Sequence, residues 1–407
     1  MAGLLISAII SLTVCNFSKD LDLVRTVADS VVSRYNLAYV VHKDGKIVSD
    51  PTSIPYDSKS HCLVPSVDWS YSNGIINSAL LDLYAVTGES KYLDYVRMHV
   101  KNCFINYPLF HKTPGSDIDW NPFSGLRKFN ELDFVGTQCA ALIRLQEKEG
   151  TKEYEDWIQR AAEHIRSSQA RLADGTLVRK KPKELTLWAD DLYMGLSLMS
   201  LYSETYDDDN MRKDAVMQVM NFNRYLWDRH ARLFWHAWYS DTESQTGAFW
   251  GRCNGWILKA TGELLDVLTP GTKDFRRVRR LFRRQVRGLI RYQDADGMFH
   301  QVLNNPESYK EASCTVIFAG TIAHAVAKGW IGKKYAGNAL SAWETICKDY
   351  IREGALCQVC IGTGIQSSEE GYIKRPYVDG ENHGIGLLLK SGLQIIELKQ
   401  CINKFNQ

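Results

Sequence analysis

One motif recurs along this chain at intervals of about sixty residues, and it constrains the fold more than any other feature. A loop rich in aromatic and charged residues leads into a glycine that opens an apolar helix; a turn and a more polar helix follow. The copies are marked by Gly74, Gly136, Gly195, Gly255, Gly320 and Gly386. In the first copy apolar residues cover most of the circumference of Tyr71 to Tyr84, as in a helix buried on all sides. Thr87-Gly-Glu-Ser90 then supplies a turn and cap, and Lys91 to Val96 opens an amphipathic helix. Each copy is therefore a helical hairpin that cannot bury its own apolar face. Six such hairpins form either an open solenoid with a concave face or a closed ring with the apolar helices inside. The all-round apolar inner helices, the divergence among copies and the long distinctive loops favour the ring. The expected fold is all-α, an (α/α)6 toroid, with the six glycines near the starts of six inner helices at one end. Strand signals are sparse: Leu37 to Val41 with Lys43-Asp-Gly45 reads as a short hairpin, and His230 to Trp235 as an extended piece.

Nothing splits the 407 residues into parts, since no Pro-, Gly- or Ser-rich stretch or low-complexity tract occurs. Residues 18–407 read as one large domain. Residues 1–17 read as a signal peptide: Leu4 to Val14 is an apolar run too short to span a bilayer, although no Lys or Arg precedes it. The other reading of that run is the apolar face of a first helix. Export is the expectation, and no membrane span is. A net charge of +2 gives no whole-molecule attraction to nucleic acid or anionic membrane. Ten irregularly spaced cysteines do not make a disulfide scaffold. Cys357 and Cys360 form a lone CxxC without the second pair of ligands a zinc site needs, so they read as ordinary thiols or a disulfide. No phosphate-binding loop, GxSxG elbow or HExxH motif occurs, and the histidines lack ligand spacing, so no metal or cofactor is expected.

In a closed ring the loops before the inner helices converge on one mouth. They carry Asp68 to Tyr71, Glu131 and Asp133, Trp188 to Tyr193, Trp250 to Asn254, Glu311 to Ser313, and Glu381 to His383. Aromatic faces stack on sugar rings, while carboxylates and amides bind hydroxyls. Tyr71, Trp188 and Asn254 are expected to line this pocket. The tract Arg179-Lys-Lys-Pro182 is expected to attract a carboxylated substrate. Asp190 and Asp191 lie about 100° apart around a helix, so only one of them points inward. The run Arg276, Arg277, Arg279, Arg280, Arg283, Arg284 and Arg287 surrounds Val278, Phe282 and Val286 at helical spacing and reads as the wet face of an outer helix.

The segments WADDLYM (Trp188 to Met194), FWHAW (Phe234 to Trp238), WGRCNGW (Trp250 to Trp256) and Tyr71-Ser-Asn-Gly74 resemble glycoside hydrolase family 105, the unsaturated rhamnogalacturonyl hydrolases, related to the family 88 unsaturated glucuronyl hydrolases. The resemblance runs from about Trp69 to Leu389. It implies an (α/α)6 barrel, Asp190 as general acid and base, Asp133 as a second pocket carboxylate, and His236, Trp250 and Arg252 as substrate-binding residues, with Arg252 a partner for a uronate carboxylate. Arg179-Lys180 stands where some members carry His-Lys, and Gly251 and Cys253 stand where Ala and Gly are commoner.

The chemistry this implies is hydration of a vinyl ether. The substrate is an unsaturated oligosaccharide ending in a Δ4,5-unsaturated uronic acid. Protonation of C4 develops positive charge at C5 and the ring oxygen, water adds at C5, and the hemiketal opens and releases the leaving sugar. One carboxyl serves first as acid and then as base. In an aromatic, partly dry pocket its pKa is expected to be raised.

Overall fold

The computed structural model describes residues 2–33, 40–42, 47–48, 61–63, 68–112 and 124–406. Helices follow in the order α1 (Ala2–Ser33), α2 (Tyr71–Thr87), α3 (Ser90–Lys112), α4 (Ser124–Lys128), α5 (Leu132–Glu149), α6 (Glu155–Glu163), α7 (Asp190–Thr205), α8 (Asp209–Leu226), α9 (Gly251–Val267), α10 (Lys273–Leu289), α11 (Ala312–Ala327), α12 (Ala336–Asp349), α13 (Glu369–Ile373) and α14 (Asn382–Asn406). Helices α2, α5, α7, α9, α11 and α14 pack side by side in chain order, and α14 packs back onto α2. The ring is therefore closed, and the fold is the six-hairpin toroid expected from the repeats. Helices α3, α6, α8, α10 and α12 each lie outside the inner helix that precedes them. The sixth outer helix comes from the opposite end of the chain: α1 packs on α14. Val24, Val27 and Ala28 are buried there, and Asp20 accepts from Lys399 Nζ (2.6 Å) and Trp343 Nε1 (2.9 Å). The apolar run Leu4 to Val14 falls in the first half of α1, where the side chains lie outside the described residues. Among the described residues no helix is long and apolar enough to cross a membrane.

The repeated glycines, Gly195 excepted, mark where neighbouring inner helices touch. A Cβ on Gly74 would meet the Thr137 backbone on α5, one on Gly136 the Met194 carbonyl on α7, one on Gly320 Ser391 on α14, and one on Gly386 the backbone of α2 at Ile75 and Ile76. Small residues are required because the helix backbones approach closely. Gly320 departs from the expected placement: it lies in the middle of α11, not at its start, because its seam with α14 sits deeper in the ring. Gly136→Ala is expected to cost about 3 kcal/mol, since its Cβ would fall 1.6 Å from the Met194 oxygen and force two backbones apart. Gly195→Ala meets only the ends of side chains, Leu177 at 3.3 Å and Leu132 and Met199 at 3.7 and 3.8 Å, and serves as the tolerated control in the same denaturant titration.

Short strands decorate the ring. β1 (Val40–His42) pairs antiparallel with β2 (Ile47–Val48) and β3 (His61–Leu63). The anticipated hairpin survives in Val40 and Val41, while residues 37–39 and 43–45 lie outside the described residues. At the mouth, β4 (Thr186–Trp188), β5 (Ala237–Tyr239) and β6 (Ser244–Thr246) form an antiparallel sheet in that order, with Trp188 opposite Ala237. The extended piece expected at His230 to Trp235 thus becomes a strand slightly later in the chain. β7 (Ile351–Arg352) pairs with β8 (Ala355–Leu356), and β9 (Val359–Cys360) pairs with β10 (Tyr377–Val378). Cys357 and Cys360 are free thiols.

The far end of the ring is tied by charge. Asp82 on α2 accepts from Arg144 on α5 (2.6 Å) and Lys390 on α14 (3.0 Å). His324 on α11 bridges Asp266 on α9 (2.9 Å) and Glu397 on α14 (2.6 Å). Burial pushes the His324 pKa down, but the two carboxylates outweigh it and raise it from 6.5 to about 9. Because the folded pKa is the higher one, the stabilisation is complete below about pH 6.5 and is lost as pH rises through about 9. It amounts to about 3 kcal/mol. Denaturant midpoints measured from pH 6 to pH 10 are expected to fall across this window in the wild type and to stay flatter in His324→Gln.

Candidate active site

Asp190 is the first residue of α7 and is delivered to the mouth by β4, whose last residue, Trp188, stands two residues before it. Its Oδ2 lies 3.0 Å from His236 Nε2, and the other ring nitrogen, Nδ1, lies 2.6 Å from the Tyr372 hydroxyl. The Ala189 N–H bonds the His236 carbonyl (2.9 Å), which ties the start of α7 to the entry of β5. His236 is wholly buried behind Asp190, edge-on to Trp188 at 5.6 Å and tilted against Trp250 at 4.8 Å. It was expected to bind substrate; the structure makes it the support of the carboxylate instead. Tyr372, on the short α13, carried no repeat signal, so sequence reasoning missed it.

The pKa of Asp190 corrects a second expectation. Burial pushes it up as anticipated, but the His236 imidazole, with help from Arg179 and Arg252, outweighs burial and leaves the carboxyl below its ordinary value. Aromatic walls alone do not set the acidity; the cations behind them decide the sign.

Arg179 was expected to meet a substrate carboxylate. Its guanidinium is instead shared between two protein carboxylates. Nη1 and Nη2 donate to the two oxygens of Asp133 (2.8 and 2.9 Å), and Nε donates to both oxygens of Asp191 (2.9 and 2.8 Å). The backbone N–H and carbonyl of Arg179 pair with Thr186, the first residue of β4, which fixes the arginine beside α7. Its plane lies 4.8 Å from the Trp188 ring. Asp191 is fully buried, and burial pushes its pKa up to about 6 with Arg179 offsetting part of the rise. The adjacent aspartates thus diverge as helical geometry requires: Asp190 to His236, Asp191 to Arg179. Asp133, Asp190 and Trp188 keep part of their surface open.

Arg252 is also buried. It donates to the carbonyls of Cys360 (2.5 Å) and Ile361 (2.8 Å) and to Ser313 Oγ (3.3 Å), with Trp250 stacked 4.7 Å away. Among the described residues no carboxylate lies within ion-pair distance of it, yet its charge reaches Tyr71, Asp190 and Glu381. Two other expected contacts turn out to be internal. Asn254 spends its amide on the backbone of Phe234 (2.9 Å each way) and the Trp250 carbonyl (3.0 Å). Trp250 is only 1% exposed and donates to Gln301 (3.1 Å), so it offers no open face.

Tyr71, the first residue of α2, remains half-buried at the mouth. Its hydroxyl bonds His383 Nε2, and His383 Nδ1 bonds Glu381. The resulting row Tyr71–His383–Glu381 joins the first and last inner helices across the closure of the ring. His383 and Glu381 were recognised as mouth residues, but their linkage to Tyr71 spans 312 residues and leaves no local trace.

A closed six-hairpin ring with carboxylates, aromatic faces and buried cations at the N-terminal ends of its inner helices is the architecture of a glycosidase. The chain belongs to Glycosyl Hydrolase Family 88, whose sequence profile matches residues 48–399. It is 28% identical over 214 residues to the unsaturated rhamnogalacturonyl hydrolase YesR of Bacillus subtilis, a match covering 52% of this chain and 60% of that relative. It is 22% identical over 358 residues to an unsaturated 3S-rhamnoglycuronyl hydrolase of Formosa agariphila, covering 83% of this chain and 90% of that one. In structure it resembles a possible family 105 member from Klebsiella pneumoniae, with a TM-score of 0.75 at 21% identity, covering 95% of this chain and 94% of that one. It also resembles the unsaturated glucuronyl hydrolase of Bacillus sp. GL1, with a TM-score of 0.65 at 15% identity, covering 93% and 96%.

Proposed function

We propose that this protein removes a Δ4,5-unsaturated uronic acid from the non-reducing end of pectic, rhamnogalacturonan-type oligosaccharides, with Asp190 as acid and base. The observation that carries the reading is the partly open Asp190 carboxyl, braced on His236 and Tyr372 beside Trp188. Asp190 delivers a proton to C4. The positive charge that develops at C5 and the ring oxygen faces the Asp133 side of the mouth. The Asp190 carboxylate then takes a proton from the water that adds at C5, which restores the acid. The hemiketal opens to a ketone as its C5 hydroxyl proton passes to the former ring oxygen, which becomes a hydroxyl on C1, and the C1 hemiacetal then collapses to an aldehyde and releases the leaving sugar as its alcohol. Arg252 acts on the uronate through its buried positive charge rather than through a preformed ion pair. Tyr71 and Trp188 supply the open sugar-facing surface.

His236 holds the Asp190 carboxyl below its ordinary range against the opposite pull of burial. The negative charge of an entering uronate favours the protonated, acidic form of that carboxyl. His236→Gln removes the largest contribution that lowers the Asp190 pKa and leaves burial to set its acidity, so the alkaline limb of the kcat/KM profile is expected to move to higher pH. An unmoved limb would separate His236 from the acidity of Asp190.

Substrate choice is tested with a panel of unsaturated disaccharides, followed by loss of the ultraviolet absorbance of the double bond. Pectic disaccharides are expected to be the best substrates. A second reading, an unsaturated glucuronyl or rhamnoglycuronyl substrate from another glycan, is favoured by the near full-length likeness to the Formosa protein; faster turnover of those disaccharides would select it. Export remains part of the proposal and rests on Leu4 to Val14. Removal of residues up to about 17 keeps Asp20 and the buried face of α1, and mass spectrometry of the native protein is expected to find an N-terminus beyond about residue 15.

A further inference from the structure

Helix α10 carries Arg276, Arg277, Arg279, Arg280, Arg283, Arg284 and Arg287, with Lys273 before them and Arg291 after. Its apolar residues Phe275, Val278, Phe282 and Val286 are buried against the ring, so the arginines form the outer face. A wet face needs charge of either sign; this one is positive but for Asp274 in its first turn. Among the described residues the one acid within ion-pair distance of these arginines is Asp274, 3.6 Å from Arg277. Other guanidiniums rest on neutral groups: Arg283 on the Trp330 carbonyl, Arg276 on the Gly271 carbonyl, and Arg284 on Asn223 and the Trp227 ring. None of these neutralises charge. The arginines also repel one another: Arg283 and Arg284 are pushed below the ordinary guanidinium value, first by burial and then by Arg279, Arg229 and Arg287. The whole chain is nearly neutral at +2, so this face is a local concentration of charge that the fold tolerates without using.

We propose that the outer face of α10 binds a carboxylated polysaccharide, the polymeric source of the oligosaccharides handled at the mouth. Three features point to this partner. Guanidinium forks bind carboxylates and phosphates alike two bonds at a time, so a face built from arginine rather than lysine suits an oxyanion polymer, and the remaining two features separate the candidates. Exposed Arg276, Arg280 and Arg287 run along one side of α10 at rises of about 6 and about 10 Å, with Arg291 in the short turn beyond. That ladder suits a polymer bearing one charge per sugar ring better than duplex DNA, which carries one per ~1.7 Å of axis. Finally, the apolar side of α10 is consumed by the ring, so the helix has nothing to insert into a lipid surface, and the exposed positions carry no aromatic residue on which bases would stack. The surface lies on the outer side of the ring, on a helix that contributes none of the mouth residues described above. It retains the enzyme on its polymer and raises the local supply of chain ends without touching the reacting bond. The identity of the polymer rests on the proposed function; the polyanion-binding surface does not.

The test uses the full chain and the variant Arg276→Gln/Arg277→Gln/Arg280→Gln/Arg287→Gln, none of which belongs to the mouth. Binding to polygalacturonate is measured by calorimetry at about 50 and about 200 mM salt, beside a neutral polysaccharide, a DNA duplex and vesicles of anionic phospholipid. The expected result is polygalacturonate binding that weakens steeply with salt and falls about tenfold or more in the variant, with turnover of a small unsaturated disaccharide and the thermal midpoint unchanged. Equal binding by variant and wild type overturns the proposal, as does binding to the neutral polymer with the same affinity. Tighter binding to DNA or vesicles than to polygalacturonate replaces the partner and overturns it also. If the disaccharide is not turned over while polygalacturonate still binds through the arginines, the catalytic reading fails and the surface stands.

Discussion

Asp190→Asn is expected to lower turnover by about 10²–10⁴ while leaving substrate affinity nearly intact. The amide keeps the shape of the carboxyl and its hydrogen bond to His236, now with a different donor arrangement, but it cannot transfer the proton that C4 requires. Loss at both steps is expected, because the same carboxyl receives the proton of water. Single-turnover rates are the right readout, since a binding defect would raise KM first. Asp191→Asn provides the contrast. Asp191 is buried on Arg179 and does not face the mouth, so its replacement is expected to weaken stability more than chemistry. Near-normal turnover in Asp190→Asn with collapse in Asp191→Asn would assign the chemistry to the other carboxylate.

Arg179→Met is expected to destabilise the protein by about 3–5 kcal/mol at pH 8, because it leaves Asp191 buried without a partner and Asp133 beside it. The loss has a pH signature. Asp191 already has a folded pKa above its ordinary 3.8, and removal of Arg179 raises it further. A buried acid with a raised pKa binds more protons folded than unfolded, so stability falls as pH rises. The defect is therefore expected to be smaller at pH 5 than at pH 8 in chemical denaturation. A receptor for the substrate carboxylate would behave differently: the variant would stay stable at both pH values and show only a raised KM.

The parts of this molecule that were legible in its sequence are those where backbone geometry leaves one residue type no alternative. Gly74, Gly136 and Gly386 stand where two helix backbones meet, so their spacing reported the inner ring directly. Gly320 obeyed the same rule at another depth, and spacing alone could not show the shift. The sixth outer helix was not legible as a repeat, because α1 stands at the other end of the chain; Val24, Val27 and Ala28 lie at helical spacing but do not say which helix they cover. Asp190, Asp133, Tyr71 and Trp188 were read as mouth residues because loops before inner helices must converge, and all four stand at or just before inner-helix starts; the preference for Asp190 over Asp191 came from the family resemblance. Arg179 and Asn254 turn out to be engaged with Asp133, Asp191 and the Phe234 backbone, and Arg252 also holds two carbonyls, for one reason: sequence reveals a charge or an amide but not the carboxylate or carbonyl that already faces it. Tyr372 and the Tyr71–His383 bond join segments 136 and 312 residues apart and leave no pattern to read.

Hydration of a vinyl ether and displacement at the anomeric carbon break the same linkage but leave different products at the first instant. The reaction should therefore be run in deuterium oxide with an unsaturated rhamnogalacturonan disaccharide, following the absorbance of the double bond and the isotope content of the released sugar together. The account predicts that absorbance disappears in step with sugar release, that one deuteron appears at C4, and that both events are nearly abolished in Asp190→Asn. Release of a sugar that still carries its double bond, with no deuterium at C4, would contradict it.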